Sequence, residues 1–251
     1  MAKLSEIMEW GVREFMGKKE RLNRTEMLIG AEALEILEKS HVAIFGLGGV
    51  GGSVVEALAR AGIGALTLVD MDTVDESNIN RQVIATYDTI GVDKTEAAKK
   101  RVLSICPECK VFTFKQFVLP DQFGDIGDFS RFDYVVDAID NIAGKVAIIA
   151  AAKDAGVPVI SAMGAGNKMD PEKLIIDDIS KTKVCPLAKI MRKKIKDFGI
   201  KNVAALYSTE EPIKTGSKTP GSMSYVPPIA GLMIGGYVIR EIIKGSGINM
   251  K

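Results

Sequence analysis

The chain has 251 residues, of which 47% are hydrophobic and 26% are charged, and its formal net charge is +1. These values are ordinary for globular proteins, so they exclude a disordered or collagen-like chain, and the net charge alone predicts no polyanionic partner. The three cysteines and the charged N-terminus, which includes Lys3 and Glu6, indicate a reducing cytoplasm rather than a secreted, disulfide-bonded protein.

The first forty residues are predicted to form two helices. Residues 4–16 place apolar side chains near one face, and residues 25–39 carry an apolar stripe that begins after Thr25, a residue suited to cap a helix N-terminus.

From residue 41 onward the pattern alternates between strands and helices. Strands are predicted at His41–Phe45, Ala65–Val69, Val111–Phe114, Tyr134–Ile139 and Val157–Ser161, with helices at Val50–Ala61 and Lys145–Ala155. This alternation indicates parallel βαβ units. The expected fold class is therefore α/β: a Rossmann-like, doubly wound, mainly parallel sheet with helices on both faces.

The last third is less regular and predicts a smaller mixed part of the same domain. Two strands, Leu174–Ile179 and Val203–Tyr207, flank a basic helix at Cys185–Phe198, and residues 208–227 indicate a long exposed loop. The apolar stretch Tyr225–Ile239 is shorter than the roughly 20 residues of a membrane span, so we expect a buried helix, with weak membrane attachment as the alternative. No linker divides the chain, and a single domain over residues 1–251 is expected.

A glycine-rich turn lies between the first strand of this alternation and the helix that follows. Gly46-Leu47-Gly48-Gly49-Val50-Gly51 fits G-x-G-x-x-G, in which the glycines permit a tight turn, close approach of backbone to phosphate, and close packing of helix on strand. Asp70 ends the next strand, where an acid that binds ribose is expected. This motif predicts a nucleotide site, and taken alone it favours NAD.

The polar residues after Asp70 argue against NAD. They are Asp72, Asn78, Arg81, Gln82, Lys94, Asp140 and Asn141. Ligands of a doubly wound sheet bind at the carboxyl ends of its strands, so we expect these side chains to converge. Each one alone is typical of a solvated charge or a helix cap. Together they suit nucleotidyl transfer, because arginine and lysine neutralise the leaving pyrophosphate and a carboxylate holds Mg²⁺.

This set of motifs, spread over roughly residues 20–165, resembles the ubiquitin-activating-like adenylating family. The resemblance implies that the chain binds ATP and Mg²⁺, transfers AMP to a substrate carboxylate and forms a homodimer. It also implies that an arginine near the N-terminus reaches the partner's ATP. Arg24 is the candidate for that role, and a plain surface arginine is the equally good alternative.

The same resemblance assigns roles by motif position. Asp70 would bind ribose, Arg81 and Lys94 would bind the phosphates, and Asp140 would bind the metal.

The second half indicates the branch of the family. The sulfur-carrier branch has two C-x-x-C pairs for zinc, whereas this chain has only Cys106-Pro107-Glu108-Cys109, so we predict no zinc. Residues 162–171, 178–182 and 224–231 instead resemble the branch that cyclises threonylcarbamoyladenosine beside the anticodon of tRNA.

The resemblance to that branch implies an ATP-dependent dehydration through an acyl adenylate of the threonyl carboxylate. The half from about residue 20 to 168 would bind ATP, and the half from about residue 169 to 251 would face the tRNA. A cysteine desulfurase is a possible protein partner that the resemblance implies. The alternatives are adenylation of the C-terminus of a small sulfur-carrier protein, a non-catalytic nucleotide-binding scaffold and, weakest, a nicotinamide oxidoreductase.

A basic stretch supports a polyanionic partner despite the balanced total charge. Residues 181–201 carry a net charge of +7, which is typical of a surface that binds a phosphate backbone or of a solvated helix face. The predicted tRNA contacts are Lys181, Lys189, Arg192, Lys193, Lys194 and Lys196. Cys185 precedes this helix, and we interpret it as a small apolar residue rather than a thioester-forming nucleophile.

Overall fold

The computed structural model describes residues 18–120, 123–217 and 219–247, so the helix predicted at residues 4–16 lies outside the described residues. The helices are α1 (Lys18–Ile29), α2 (Ala31–Lys39), α3 (Gly49–Ala61), α4 (Lys94–Ile105), α5 (Ile142–Asp154), α6 (Pro186–Asp197) and α7 (Val226–Gly245). The strands are β1 (His41–Phe45), β2 (Ala65–Val69), β3 (Lys110–Phe114), β4 (Tyr134–Asp137), β5 (Val159–Ala162), β6 (Leu174–Asp178) and β7 (Ala204–Ser208).

The seven strands form one sheet in the order β3-β2-β1-β4-β5-β7-β6. Every neighbouring pair is parallel except β6 and β7, which are antiparallel. The chain builds outward from β1 on one side and from β4 on the other, so the topological switch point lies between these two strands. The expected fold class is confirmed, and β6 with β7 forms the predicted mixed C-terminal part.

Each face of the sheet carries its own apolar core because successive side chains of a strand point to opposite faces. Ile44 of β1 packs in the core formed with α2, α3, α4 and α7, whereas its neighbour Phe45 packs in the core formed with α5 and α6. The buried strands explain why their sequences are almost continuously apolar rather than alternating.

Helix α7 is held close to α3 by two glycines. A Cβ atom at Gly231 would lie 2.2 Å from the carbonyl oxygen of Val50, and one at Gly235 would lie 2.5 Å from the Cβ of Ala57. Among the described residues α7 is the one helix long and apolar enough to cross a membrane, but half of its apolar window is buried inside the protein. Its packing is that of the buried helix predicted for this stretch.

Two helices differ from the prediction. The single helix expected at residues 25–39 is instead α1 and α2, separated at Gly30, whose φ of +83° lies in the left-handed region. Thr25 therefore lies inside α1 and caps nothing. Helix α4 was not predicted, because its buried face is formed largely by the small side chains of Ala97 and Ala98 and shows weak periodicity.

Candidate active site

A crevice of about 520 Å³ opens at the carboxyl ends of β1, β2 and β4, beside the switch point. The structure brings together in its wall all but one of the predicted nucleotide-binding residues. These are Gly46, Gly48, Gly49, Asp70, Asp72, Asn78, Arg81, Gln82, Lys94, Asp140 and Asn141.

The exception, Gly51, lies behind the wall and shapes the turn. A Cβ atom at Gly51 would lie 1.8 Å from the carbonyl oxygen of Gly46, so only glycine fits there. Gly46 has a φ of +88°, and its own Cβ would lie 2.7 Å from the carbonyl oxygen of Ala138 on β4's exit. Gly48, in contrast, borders open space, since the nearest atom to a Cβ there is the Nε2 of Gln82 at 3.9 Å. The turn thus leaves room for a ligand against the N-terminus of α3.

Asp70 fixes the glycine turn to the end of β2. Its Oδ2 accepts a hydrogen bond from the backbone N–H of Leu47 at 2.6 Å, and its Oδ1 accepts one from the backbone N–H of Asp72 at 2.8 Å. Each carboxylate oxygen has a second lone pair, so the group can still accept from a ligand hydroxyl.

Two cations line the crevice, and each is held in place by neighbouring groups of the chain. The buried Lys94 Nζ lies 2.7 Å from Asp72 Oδ2, and the Asp72 side chain is 67% exposed. Arg81 Nη1 donates to the carbonyl oxygen of Ser77 and to Asn80 Oδ1, both at 2.8 Å. Both positive charges are therefore positioned before any ligand is bound.

Two further side chains in the wall have hydrogen-bonding capacity to spare. Asp140 is exposed and has no hydrogen-bond or ion-pair partner among the residues that the structure describes. Its neighbour Asn141, in contrast, caps α5: its Oδ1 accepts a hydrogen bond from the backbone N–H of Gly144 at 2.9 Å. Gln82 is buried, and its Oε1 is the one buried side-chain atom in the described chain without a hydrogen-bond partner. An unsatisfied buried acceptor is costly, so Gln82 is suited to accept a donor from a ligand.

The same wall contains residues that the sequence interpretation missed. Gln116 and Phe117 follow β3, whose carboxyl end lies at the same edge of the sheet as that of β2, and this position was the available signal. Residues 219–222 close the crevice from the loop after β7. Asn167 Oδ1 accepts from the backbone N–H of Gly221 at 2.6 Å, and Asn80 Nδ2 donates to the carbonyl oxygen of Ser222 at 3.1 Å. Nothing local in the loop sequence indicates these long-range contacts.

The predicted basic helix corresponds to α6, which borders an open groove. Of the predicted tRNA contacts, the groove brings together Lys189, Arg192, Lys193, Lys194 and Lys196. Lys181 lies outside it and pairs with Asp177 at 3.0 Å. Arg192 Nη1 donates to the carbonyl oxygen of Thr182 at 2.6 Å, so part of its role is structural. The four lysines of the groove wall named here have no ion-pair partner within the described ranges.

Helix α6 begins close to the crevice. The Sγ of Cys185, which precedes the helix, lies 3.9 Å from where a Cβ atom at Gly164 would stand, and the next residue, Ala165, lines the crevice. Cys185 is buried, and its burial agrees with the interpretation as an apolar residue rather than an exposed nucleophile.

Arg24 is exposed on α1 and does not line the crevice of its own chain.

The C-x-x-C segment is anchored to α1. Arg21, one turn before Arg24, donates to Glu108 and to Cys106 Sγ. The Cys109 thiol, which donates to Cys106, and the Arg21 guanidinium together lower the pKa of Cys106 to about 7 against the effect of burial. No group of three or more His, Cys, Asp or Glu side chains in the described ranges is placed to hold a metal.

Known proteins are similar to this chain in both sequence and fold. The model of the ThiF family matches residues 22–249. The tRNA threonylcarbamoyladenosine dehydratase of Bacillus subtilis is 39% identical over 242 residues, which are 89% of this chain and 95% of that protein. The enzyme of the same name from Escherichia coli is 40% identical over 203 residues, which are 76% of this chain and 74% of that protein.

A solved crystal structure also has the same fold as this chain. The crystal structure of Escherichia coli tRNA N6-threonylcarbamoyladenosine dehydratase, TcdA, in complex with ATP superposes with a TM-score of 0.84 at 35% identity. The superposition covers 91% of this chain and 96% of that one.

Proposed function

This chain belongs to the ThiF family, and on that premise we propose that it catalyses the ATP-dependent dehydration of threonylcarbamoyladenosine in tRNA. The single observation that carries the proposal is the convergence of the glycine turn, Arg81, Lys94 and the free carboxylate of Asp140 in one crevice. The similarity to two dehydratases over most of the chain favours this reaction over adenylation of a sulfur-carrier protein.

ATP would lie across the switch point. Its ribose hydroxyls donate to the remaining lone pairs of Asp70, and its phosphates lie on the N-terminus of α3 with Arg81 and Lys94 beside them. Lys94 is released from Asp72 when a phosphate takes over as its anionic partner. The two cations then stabilise the charge that develops on the leaving pyrophosphate.

The oxygen ligands of the crevice fit Mg²⁺. This ion binds through one or two carboxylates together with phosphate oxygens, and Asp140 supplies one exposed carboxylate without a competing partner in the described chain. When bound, Mg²⁺ would neutralise phosphate charge during the transfer of AMP. The absence of zinc remains a prediction.

The reaction has two steps. A threonyl carboxylate oxygen attacks the α-phosphorus of ATP, the bond from that phosphorus to the bridging oxygen breaks, and pyrophosphate leaves. A group within the same modification then attacks the activated carbonyl and expels AMP, which carries away one carboxylate oxygen, so that water is lost overall. Because this nucleophile is tethered, its effective molarity can reach about 10⁵ M or more, as in well-oriented intramolecular reactions, and no cysteine nucleophile is needed.

Mass spectrometry of tRNA nucleosides tests the proposal directly. Incubation of the protein and ATP-Mg²⁺ with tRNA that carries threonylcarbamoyladenosine should convert this nucleoside to a product lighter by one water, with one AMP and one pyrophosphate formed per product. Samples without ATP should stay unchanged. AMP transfer to the C-terminus of a carrier protein, with intact nucleosides, would contradict the proposal.

We propose that tRNA binds along α6 and its groove. This helix begins beside the crevice, and its lysines in the groove wall have no ion-pair partner in the described chain. Replacing Lys193 and Lys194 by glutamate should weaken tRNA binding and flatten its salt dependence, because each lost phosphate contact lowers the slope of log affinity against log salt by about 0.7–0.9. Filter binding over a salt series measures both effects.

The matched control for this charge reversal is Lys100→Glu with Lys110→Glu, two exposed lysines outside the groove. The control should bind tRNA with nearly the native salt slope. Equal slopes for the two double variants would remove Lys193 and Lys194 from the interface.

A homodimer is part of the same proposal. Arg24 does not line its own crevice, and the nearby Met27 and Leu28 are each 86% exposed, as expected for a surface that a second subunit covers. A cysteine desulfurase partner, a cytoplasmic location and the division into an ATP-binding and a tRNA-facing half remain predictions.

A further inference from the structure

A fully buried ion pair lies directly beneath the crevice. Asp137, the last residue of β4, and Lys145, in the first turn of α5, are each 0% exposed, and Lys145 Nζ lies 2.9 Å from Asp137 Oδ2. Ser161 Oγ of β5 donates to the same Asp137 Oδ2 at 2.5 Å. Removing two charges from water costs several kcal/mol per ion, so such a pair is weak evidence for stability alone.

The lysine joins the exits of two neighbouring strands. Besides pairing with Asp137, Nζ donates to the carbonyl oxygen of Ile139 at 3.1 Å and to that of Ala162 at 2.7 Å. The three ammonium hydrogens thus have three acceptors, one at the end of β4, one just after it and one at the end of β5.

The segments that follow these two strands both line the crevice. Ile139 is followed by Asp140, and three residues after Ala162 the chain reaches Ala165 and Gly166, which also line the crevice. The Asp140 side chain itself has no described partner, so its position depends on the backbone segment that carries it. A second backbone contact, from the N–H of Ile139 to Asp137 Oδ1 at 3.3 Å, fixes that segment to the same ion pair.

We propose that Lys145, paired with Asp137, is a positioning residue that holds the Asp140 carboxylate where it would bind Mg²⁺. The proposal rests on the proposed function, in which Asp140 holds the metal. Lys145 is fully buried and does not line the crevice, so it acts through the carbonyl of Ile139.

The test measures ATP affinity by calorimetry in excess Mg²⁺ and again in EDTA, for the native protein and for Asp137→Asn with Lys145→Met. The double variant removes both charges, so that no carboxylate is left buried without a partner. Its affinity in EDTA should stay near native, because Asp70 and the glycine turn are intact. The gain in affinity from Mg²⁺ should fall by about 10-fold or more, the usual effect of losing a residue that orients a metal ligand.

Ile148→Ala is the matched control for loss of stability. Ile148 is fully buried on α5 one turn after Lys145, packs in the core and does not line the crevice. This variant should lose stability and keep the Mg²⁺ gain. A native Mg²⁺ gain in the folded double variant, or an equal loss in Ile148→Ala, would overturn the proposal.

A further variant keeps the proposal testable if the double variant does not fold. Lys145→Arg retains the charge but replaces the compact ammonium by a longer, planar group, so it should displace residues 139–140 and reduce the Mg²⁺ gain. A native gain in Lys145→Arg would also count against the proposal. Failure of the proposed function is distinguishable from failure of this inference. It would appear as intact tRNA nucleosides after incubation with the unmodified protein, even though Mg²⁺ still increased the affinity of that protein for ATP.

Discussion

Asp140→Ala should abolish ATP-dependent cyclisation and leave the fold intact. The carboxylate is exposed in the crevice and has no partner in the described chain, so its removal leaves no buried group unsatisfied. Such surface substitutions usually change the free energy of unfolding by no more than about 0.5 kcal/mol. Asp140 supplies the only free carboxylate in the described crevice wall, and we propose that it binds the metal. Its removal should therefore lower turnover by at least about 10²–10³-fold, on the order seen when a charge-stabilising group is removed.

The measurement is nucleoside mass spectrometry over time, alongside thermal unfolding of the same sample. Asp154→Ala is the matched control, because Asp154 is an exposed carboxylate at the C-terminal end of α5, the helix that follows Asp140, and does not line the crevice. It should turn over at the native rate. An active Asp140→Ala enzyme would refute the metal-binding role of this carboxylate.

Gly51→Ala should damage both the fold and ATP binding. The added methyl would meet the carbonyl oxygen of Gly46 at 1.8 Å, and that oxygen belongs to backbone that packs against the exit of β4. Relief of the clash requires α3 to move away from the glycine turn, which should cost about 1–3 kcal/mol or more of unfolding free energy. The same movement would displace the N–H groups that face the phosphates.

The adjacent glycine provides the control. A Cβ atom at Gly52 would meet its nearest neighbour, Cγ1 of Val83, at 3.4 Å, which is an ordinary contact. Since alanine has a higher helix propensity than glycine, Gly52→Ala should leave the free energy of unfolding unchanged or raise it slightly. Urea unfolding and ATP calorimetry on both variants check the contrast, and similar behaviour of the two would show that the turn yields more easily than its geometry indicates.

Much of the fold was predictable because its signals are local. The buried parallel strands are short apolar runs, and the glycine turn with Asp70 after the next strand has a fixed spacing. The break at Gly30 was missed because a glycine within a periodic stretch is compatible with a continuous helix until its φ is known.

The site was predictable where its residues follow strand ends or belong to an ordered set of polar motifs. Asp70 and Asp140 were found from their place at strand ends, whereas Arg81 and Lys94 were found from the order of polar residues after Asp70, and all four lie in the crevice. Lys145 was interpreted as the first residue of a helix, because the spacing of eight residues from Asp137 carries no local signal for an ion pair that forms across two elements. Residues 219–222 were missed for the same reason, since their place depends on hydrogen bonds to residues far away in the sequence.

The packing of α7 against α3 has a consequence for the protein during translation. The helix that follows the glycine turn is covered by the last helix of the described chain, and residues 219–222, which close the crevice, come just before that helix. A nascent chain that has emerged only as far as β7 therefore has an apolar face on α3 without its cover and a crevice without one wall. The polypeptide must therefore emerge as far as α7 before the nucleotide site is complete, and until then the uncovered apolar face of α3 is open to aggregation.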